Sequence, residues 1–228
     1  MKSGRSELVR IPARGSLPAV GFLAALVSLA AAAGSYFPSF YHGWNPKVGC
    51  WSTYQIGDSR GETAQLTFSV VGEEKEGFWL EVKTAQDGTE GIAAYLVTGD
   101  PNDDDNIVMV RAQETGGPAM EIDKATLDRL RKEGQKAFGS QATPIGPTVG
   151  KLEGQPDEVI EVGGRKLTCH HIRVVSPEGK SADVWLHDEV LPFGVVKLVS
   201  GPEQAVLTSF GKGAKSALKG PFTPLTLP

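Results

Sequence analysis

The sequence predicts a mainly β fold: a single curved antiparallel sheet, a half-barrel of about ten strands, with one short helix. Three observations carry that prediction. Short segments alternate apolar and polar residues at period two, the connections between them have hairpin length, and one stretch alone changes to a helical period. The 228 residues include 28 Gly and 15 Pro, a turn content that suits many short strands better than a few long helices. Hydrophobic residues at 40% and charged residues at 22% are ordinary for a chain that folds around a core.

The elements follow in order. Cys50–Ile56 is the first strand signal. Thr63–Val71 has the cleanest alternation, with Ala64, Leu66, Phe68 and Val70 on one face. Phe78, Leu80 and Val82 repeat the pattern, with Glu81 and Lys83 opposite. Ile92–Thr98 and Asn106–Ala112 continue the series across the Gly99–Asn102 turn. The period then changes: Asp123 caps a helix over Lys124–Lys132, Ala125, Leu127 and Leu130 share a face, and Gly134 is expected to stop it. Residues 139–157 read as a Gly/Pro/Ser loop. Strands resume at Glu158–Val162, turn at Gly163-Gly164, and run on through Arg165–Val175, Ala182–His187, Gly194–Ser200 and Gln204–Phe210. The stretch 34–47 is expected to be an extended leader, 48–217 the β domain, and 218–228 a flexible tail. A helix this small leaves most of one sheet face uncovered, so the sheet must curl on itself.

Residues 1–33 differ in kind. Lys2, Arg5, Arg10 and Arg14 precede an uncharged run, Ala19–Ala33, that ends in Ala31-Ala32-Ala33. A basic start, an apolar middle too short to span a bilayer and a small-residue end describe a secretory signal peptide, with an uncleaved anchor as the alternative. The expected location is the periplasm or the extracellular space, with no stable membrane span once the segment is removed. Its removal takes four of the 23 basic residues and one of the 27 acids, leaving a net charge of −7. An acidic surface repels phosphate backbones, which argues against nucleic acid as a partner. Cys50 and Cys169 form an even pair in an exported chain, so either a disulfide or two buried thiols is open.

Chemistry-bearing patterns are few. His170-His171 and His187-Asp188-Glu189 lie on neighbouring strands, and the Ser176–Gly179 turn puts His170 or His171 near Val184–Trp185. His170, His187 and Asp188 are therefore weak candidates for a metal site, although His170 and His171 point to opposite faces. Asp100–Asn106 spaces oxygen ligands as a calcium loop does, but it lacks the sixth-position Gly and has Arg111 at the twelfth position. Gly211–Ser216 resembles part of a phosphate loop without its spacing. No nucleophile elbow or dinucleotide fingerprint is present, so neither enzyme activity nor a cofactor is expected. The aromatic and apolar residues Phe68, Phe78, Leu80 and Trp185 sit on strand segments and are the candidate lining of an apolar cavity.

Four segments carry a resemblance: Val48–Gln55 (VGCWSTYQ), Val97–Asp103 (VTGDPND), Val184–Lys197 (VWLHDEVLPFGVVK) and Gly211–Ser216 (GKGAKS). Together they resemble an uncharacterised group of exported bacterial β-rich proteins over most of residues 47–217. The Val184–Lys197 hairpin and the strand order are also similar, distantly, to the superfamily of periplasmic outer-membrane lipoprotein carriers. That second resemblance implies a curved sheet with helices across an apolar cavity that takes up acyl chains, and a lipid or acylated protein as partner. The single convincing helix and Cys50 in the opening strand depart from those patterns. The expectation is an exported, non-enzymatic envelope protein that binds an apolar ligand. A structural or protein-interaction module without a small ligand is the alternative, and a weak metal-binding protein the second.

Overall fold

The structure, a computed structural model, describes residues 39–57, 63–86, 88–114, 116–138, 147 and 150–225. The expected signal segment and the first part of the leader lie outside them. Among the described residues no helix is long and apolar enough to cross a membrane.

Strand pairing dominates the described residues, as the alternation requires. In chain order the elements are α1 (Ser39–His42), β1 (Trp51–Gly57), β2 (Thr63–Glu74), β3 (Gly77–Gln86), β4 (Thr89–Val97), β5 (Ile107–Glu114), β6 (Met120–Asp123), α2 (Lys124–Phe138), β7 (Lys151–Gly154), β8 (Glu158–Val162), β9 (Arg165–Val175), β10 (Ser181–Leu186), β11 (Val195–Ser200), β12 (Glu203–Gly211) and β13 (Thr223–Pro224). They form an open curved sheet of 13 strands, which corrects the expected ten. All ten expected strands are present. The additional ones, β6, β7 and β13, have four, four and two residues, too few for alternation to show in a sequence.

The strand order is β13-β6-β5-β4-β3-β2-β1-β12-β11-β10-β9-β7, with β8 on β9. Two antiparallel meanders, β1–β6 and β9–β12, are thus joined by the long-range pairing of β1 with β12. The chain enters at the middle of the sheet, winds to one edge where α2 follows, resumes at the other edge with β7, and winds back.

Helix α2 begins where expected. The Thr126 N–H donates to Asp123 Oδ1 at 2.8 Å, and this bond holds the Asp123 carboxyl below the usual carboxylate range. Gly134 does not stop it: the helix runs to Phe138. An interior glycine costs only about 1 kcal/mol relative to alanine, less than continued hydrogen bonding returns. Leu127 and Leu130 are buried in the main cluster, beside β5 and β6.

Pairing fixes which residues share a face. Tyr54, Leu66, Phe68, Leu80, Val82, Ala93, Tyr95, Val110, Val184 and Leu198 form the inner face and the main core. Tyr54 donates its buried hydroxyl to the Val195 carbonyl at 2.8 Å. Burial pushes its pKa well above the ordinary tyrosine value. The loop 187–194 inserts Val190 and Phe193 into this core. Gly194 in that loop has a φ of +73°, and a Cβ there would meet the His42 ring at 2.5 Å, so only glycine fits. The expected leader is not simply extended: Tyr41 and Trp44 pack against the core, and the Asn45 N–H donates to the Pro192 carbonyl at 3.1 Å.

The outer face of β3–β5 is covered too, by a segment expected to be frayed. Leu218 is buried against Trp79, Ala94 and Leu96, with Phe222 packed beside them. Glu81, on the outer face but buried, accepts from Ser216 Oγ at 2.8 Å and from the Ala217 N–H at 3.1 Å. The Arg111 guanidinium lies between the Trp79 and Phe222 rings, 4.2 and 4.6 Å from their centroids, and pairs with Glu121 at 2.8 Å. β13 then pairs in parallel with β6. The tail through Leu225 is therefore a strap, held by apolar contact and a buried carboxylate.

Candidate functional site

The candidate apolar lining comes first. Phe68 and Leu80 are fully buried on the inner face, and Phe78 shares that face at its rim, packed near Cys50, Val70 and Leu191. Trp185 is buried in the same cluster as Phe68 and Leu80, but it stands on the other side of its strand. Its neighbours Val184 and Leu186 point inward, and its cross-strand partners are His171 and Lys197, so it lies on the opposite face. On the inner face side chains meet each other. Phe68 contacts Phe193 edge-on at a centroid distance of 5.0 Å and Tyr54 at 5.9 Å, and Trp44 lies 5.4 Å from Phe193. Such ring pairs add about 0.5–1.5 kcal/mol each beyond the area they bury.

The histidines separate in the same way. His171 stands opposite Trp185 and His170 opposite Leu186, within one residue of the expected register. His170 Nδ1 lies 3.1 Å from Asp157. His171 is stacked on Trp185 with ring centroids 4.3 Å apart, and its nitrogens face Asp183 at 2.9 Å and Glu158 at 3.4 Å. Lys197 Nζ sits 4.6 Å from the Trp185 ring centroid. His187 Nδ1 accepts from the Glu189 N–H at 3.2 Å, and Asp188 faces His42 at 2.9 Å. The candidates His170, His187 and Asp188 thus have three different partners. Among the described residues no group of three His, Cys, Asp or Glu side chains could hold a metal ion.

Asp183 is the electrostatic centre of that outer cluster. Burial acts to raise its pKa, but hydrogen bonds from Arg173 and His171 and their charges outweigh burial and hold it below the ordinary value. Arg173 reaches both of its oxygens, at 3.1 and 3.0 Å.

The acidic loop has a structural occupation. Asp100 Oδ1 accepts from the Asn102 N–H, Asp103 caps a 3-10 turn over Asp104–Asn106, and Asp104 and Asp105 reach Arg131 and Lys124 of α2 at 3.4 and 3.5 Å. It fastens the helix to the sheet. Ser216 of the phosphate-loop-like segment donates to a carboxylate, Glu81, which is no environment for a phosphate. The two cysteines are free and buried in different clusters, Cys50 beside Val70 and Leu191 and Cys169 in the main core. Burial pushes both thiols up.

One surface was not legible beforehand. Residues 151–162 run beside β9 as an edge, β7 on its second half and β8 on its first. The Gln155 N–H still donates to the His171 carbonyl at 2.9 Å, so Pro156 and Asp157 are a kink within one edge. Only Val48, Leu152 and Val159 are large exposed hydrophobics among the described residues, and two of these lie on this edge, 65% and 63% exposed. Leu152 falls in the presumed loop and Val159 in an expected strand. The missing information was which strands lie at the edge.

No protein-family model and no curated protein matches the chain. Solved structures with partial likeness include MucB in complex with MucA(peri), at 12% identity over 83% of this chain and 56% of that one, with a TM-score of 0.42. PNGF-II matches at 10% identity over 78% of this chain and 31% of its own, with a TM-score of 0.36. An exported protein with a YmcC-like fold from Bacteroides fragilis matches at 12% identity over 75% of this chain and 99% of its own, with a TM-score of 0.30. The chain thus spans a little over half of MucB and under a third of PNGF-II. At these scores the likenesses establish neither a common fold nor a common activity.

Proposed function

We propose that this is an exported, non-enzymatic envelope protein that acts by contact with another protein and carries no apolar ligand. The observation that supports this most is the inner face, where the residues best placed to line an acyl site touch one another. Phe68, Tyr54 and Phe193 meet ring to ring, and Leu80, Val184, Val190 and Val196 are fully buried. A ten-carbon chain gains about 0.8 kcal/mol per buried methylene, but here it would have to displace side chains that already have that gain. The basic leader and short apolar run of residues 1–33 support export. Two of the three large exposed apolar residues among the described ones, Leu152 and Val159, lie on an edge, where another chain can reach them.

The test is a titration of a fluorescent fatty-acid probe against the purified protein. The expected result is no saturable binding up to high micromolar probe. Saturable binding near one probe per chain would overturn the reading and restore the carrier-like alternative.

A further inference from the structure

We propose that the edge formed by residues 151–162 is a docking site for an extended, basic polypeptide segment that adds a strand beside β7 and β8. The inference rests on the preceding reading, that this protein acts by protein contact, and makes it specific. Three features of the edge point the same way.

The first is its backbone. β7 ends the strand order, and β8 pairs with β9 alone. Among the described residues each therefore has one side with no paired strand, where backbone donors and acceptors are available to an added strand. At the other end of the sheet only two residues of β13 are paired, through β6, so the comparable edge there is far shorter.

The second is its side chains. Leu152 is paired with Val174, and Val159 with Thr168, which places both on the same face of β9. Each is more than half exposed at a strand whose partner is already satisfied on one side. An added strand with apolar residues at alternate positions would cover them, as strand addition ordinarily does.

The third is charge. Glu153, Asp157, Glu158 and Glu161 stand along the edge with one cation on the edge itself, Lys151. On β9 behind them Lys166 is opposite Glu161 and Arg173 opposite Glu153, but Arg173 is held by both oxygens of Asp183, so the acids outnumber the free cations along this rim. A second copy of this chain pairing edge to edge would bring two acidic rows together, which disfavours self-association. A segment bearing Lys or Arg between its apolar residues reverses that sign. Pro156 limits continuous pairing to two short stretches, so the fit is to a segment of roughly five residues at β8, extended toward β7.

The experiment uses the purified protein and three labelled synthetic peptides read by fluorescence anisotropy. One alternates Val and Thr with Lys, one replaces each Lys by Glu, and one keeps the Lys residues but places Pro at every second position. The expected order is Lys peptide at least tenfold tighter than either control. The E153K/E161K variant, at one half-buried and one exposed residue, should weaken the Lys peptide at least fivefold. Hydrogen exchange of the complex should slow amides of residues 151–162. Equal binding of the Lys and Pro peptides would mean charge attraction without strand addition and overturn the proposal. Slowing at β13 and β6 instead would also overturn it, while leaving the protein-contact reading standing. The fatty-acid titration alone decides that broader reading.

Discussion

The two halves of the sheet are built from the same alternation but finished differently. In β2–β5 both faces are covered, the inner one by the core and the outer one by the strap through Leu218, Phe222 and the Glu81 contacts. In β7–β11 the inner face joins the same core, but the other face bears Trp185, His171, Asp183, Arg173 and Lys197, and among the described residues no strand pairs beyond β7 and β8. The first half is closed by apolar burial. The second is finished by charge and stacking, which leaves its rim free for contact.

That contrast can be broken or sharpened by substitution. The largest effect is expected at the shared core. Phe193→Ala removes a ring that touches Phe68 and Trp44, and large-to-small core changes of this kind cost about 3–5 kcal/mol. Denaturant midpoints at unchanged slope would measure it. The strap comes next: Leu218→Ala is expected to cost about 2–3 kcal/mol, in the lower part of the range for buried leucine because the site can collapse toward solvent. A loss under about 0.5 kcal/mol, the size of an ordinary surface change, would show that the outer face of β3–β5 does not depend on the strap.

A smaller, pH-dependent effect is expected in the second half. The folded-state pKa of Asp183 is depressed, so its stabilisation is fully present above the unfolded value of about 3.9 and is lost as pH falls through the folded value. Asp183→Asn should lower Tm at neutral pH and make the acid limb of a Tm-against-pH curve shallower. An unchanged acid limb would remove Asp183 from that role. The smallest effect belongs to the edge: Val159→Ser, at an exposed position, should change stability by no more than about 0.5 kcal/mol. A large loss would mean that Val159 is part of the core.

The strand content was readable because alternation is a local property. Leu66, Phe68, Leu80 and Val82 could be placed on one face from spacing alone, and the Ser176–Gly179 turn placed His171 within one pair of its partner. Trp185 shares the buried cluster of Phe68 and Leu80, while its parity with Val184 and Leu186 sets it on the other side of β10. The pairing of β1 with β12 and the identity of the edge strands depend on contacts between distant parts of the chain, which no local pattern records. The strap was hidden by composition. Its Gly, Pro and Lys residues read as a frayed end, while two apolar side chains, Leu218 and Phe222, and one serine decide its position.

The difference between the halves has one direct measurement, native-state hydrogen exchange of the unliganded full chain resolved by residue. Amides of β3 and β4 should be among the slowest, with Leu218 and its neighbours in the strap protected as well, and β7 and β8 should exchange much faster. Rapid exchange across 214–225 together with slow exchange in β7 and β8 would contradict the account.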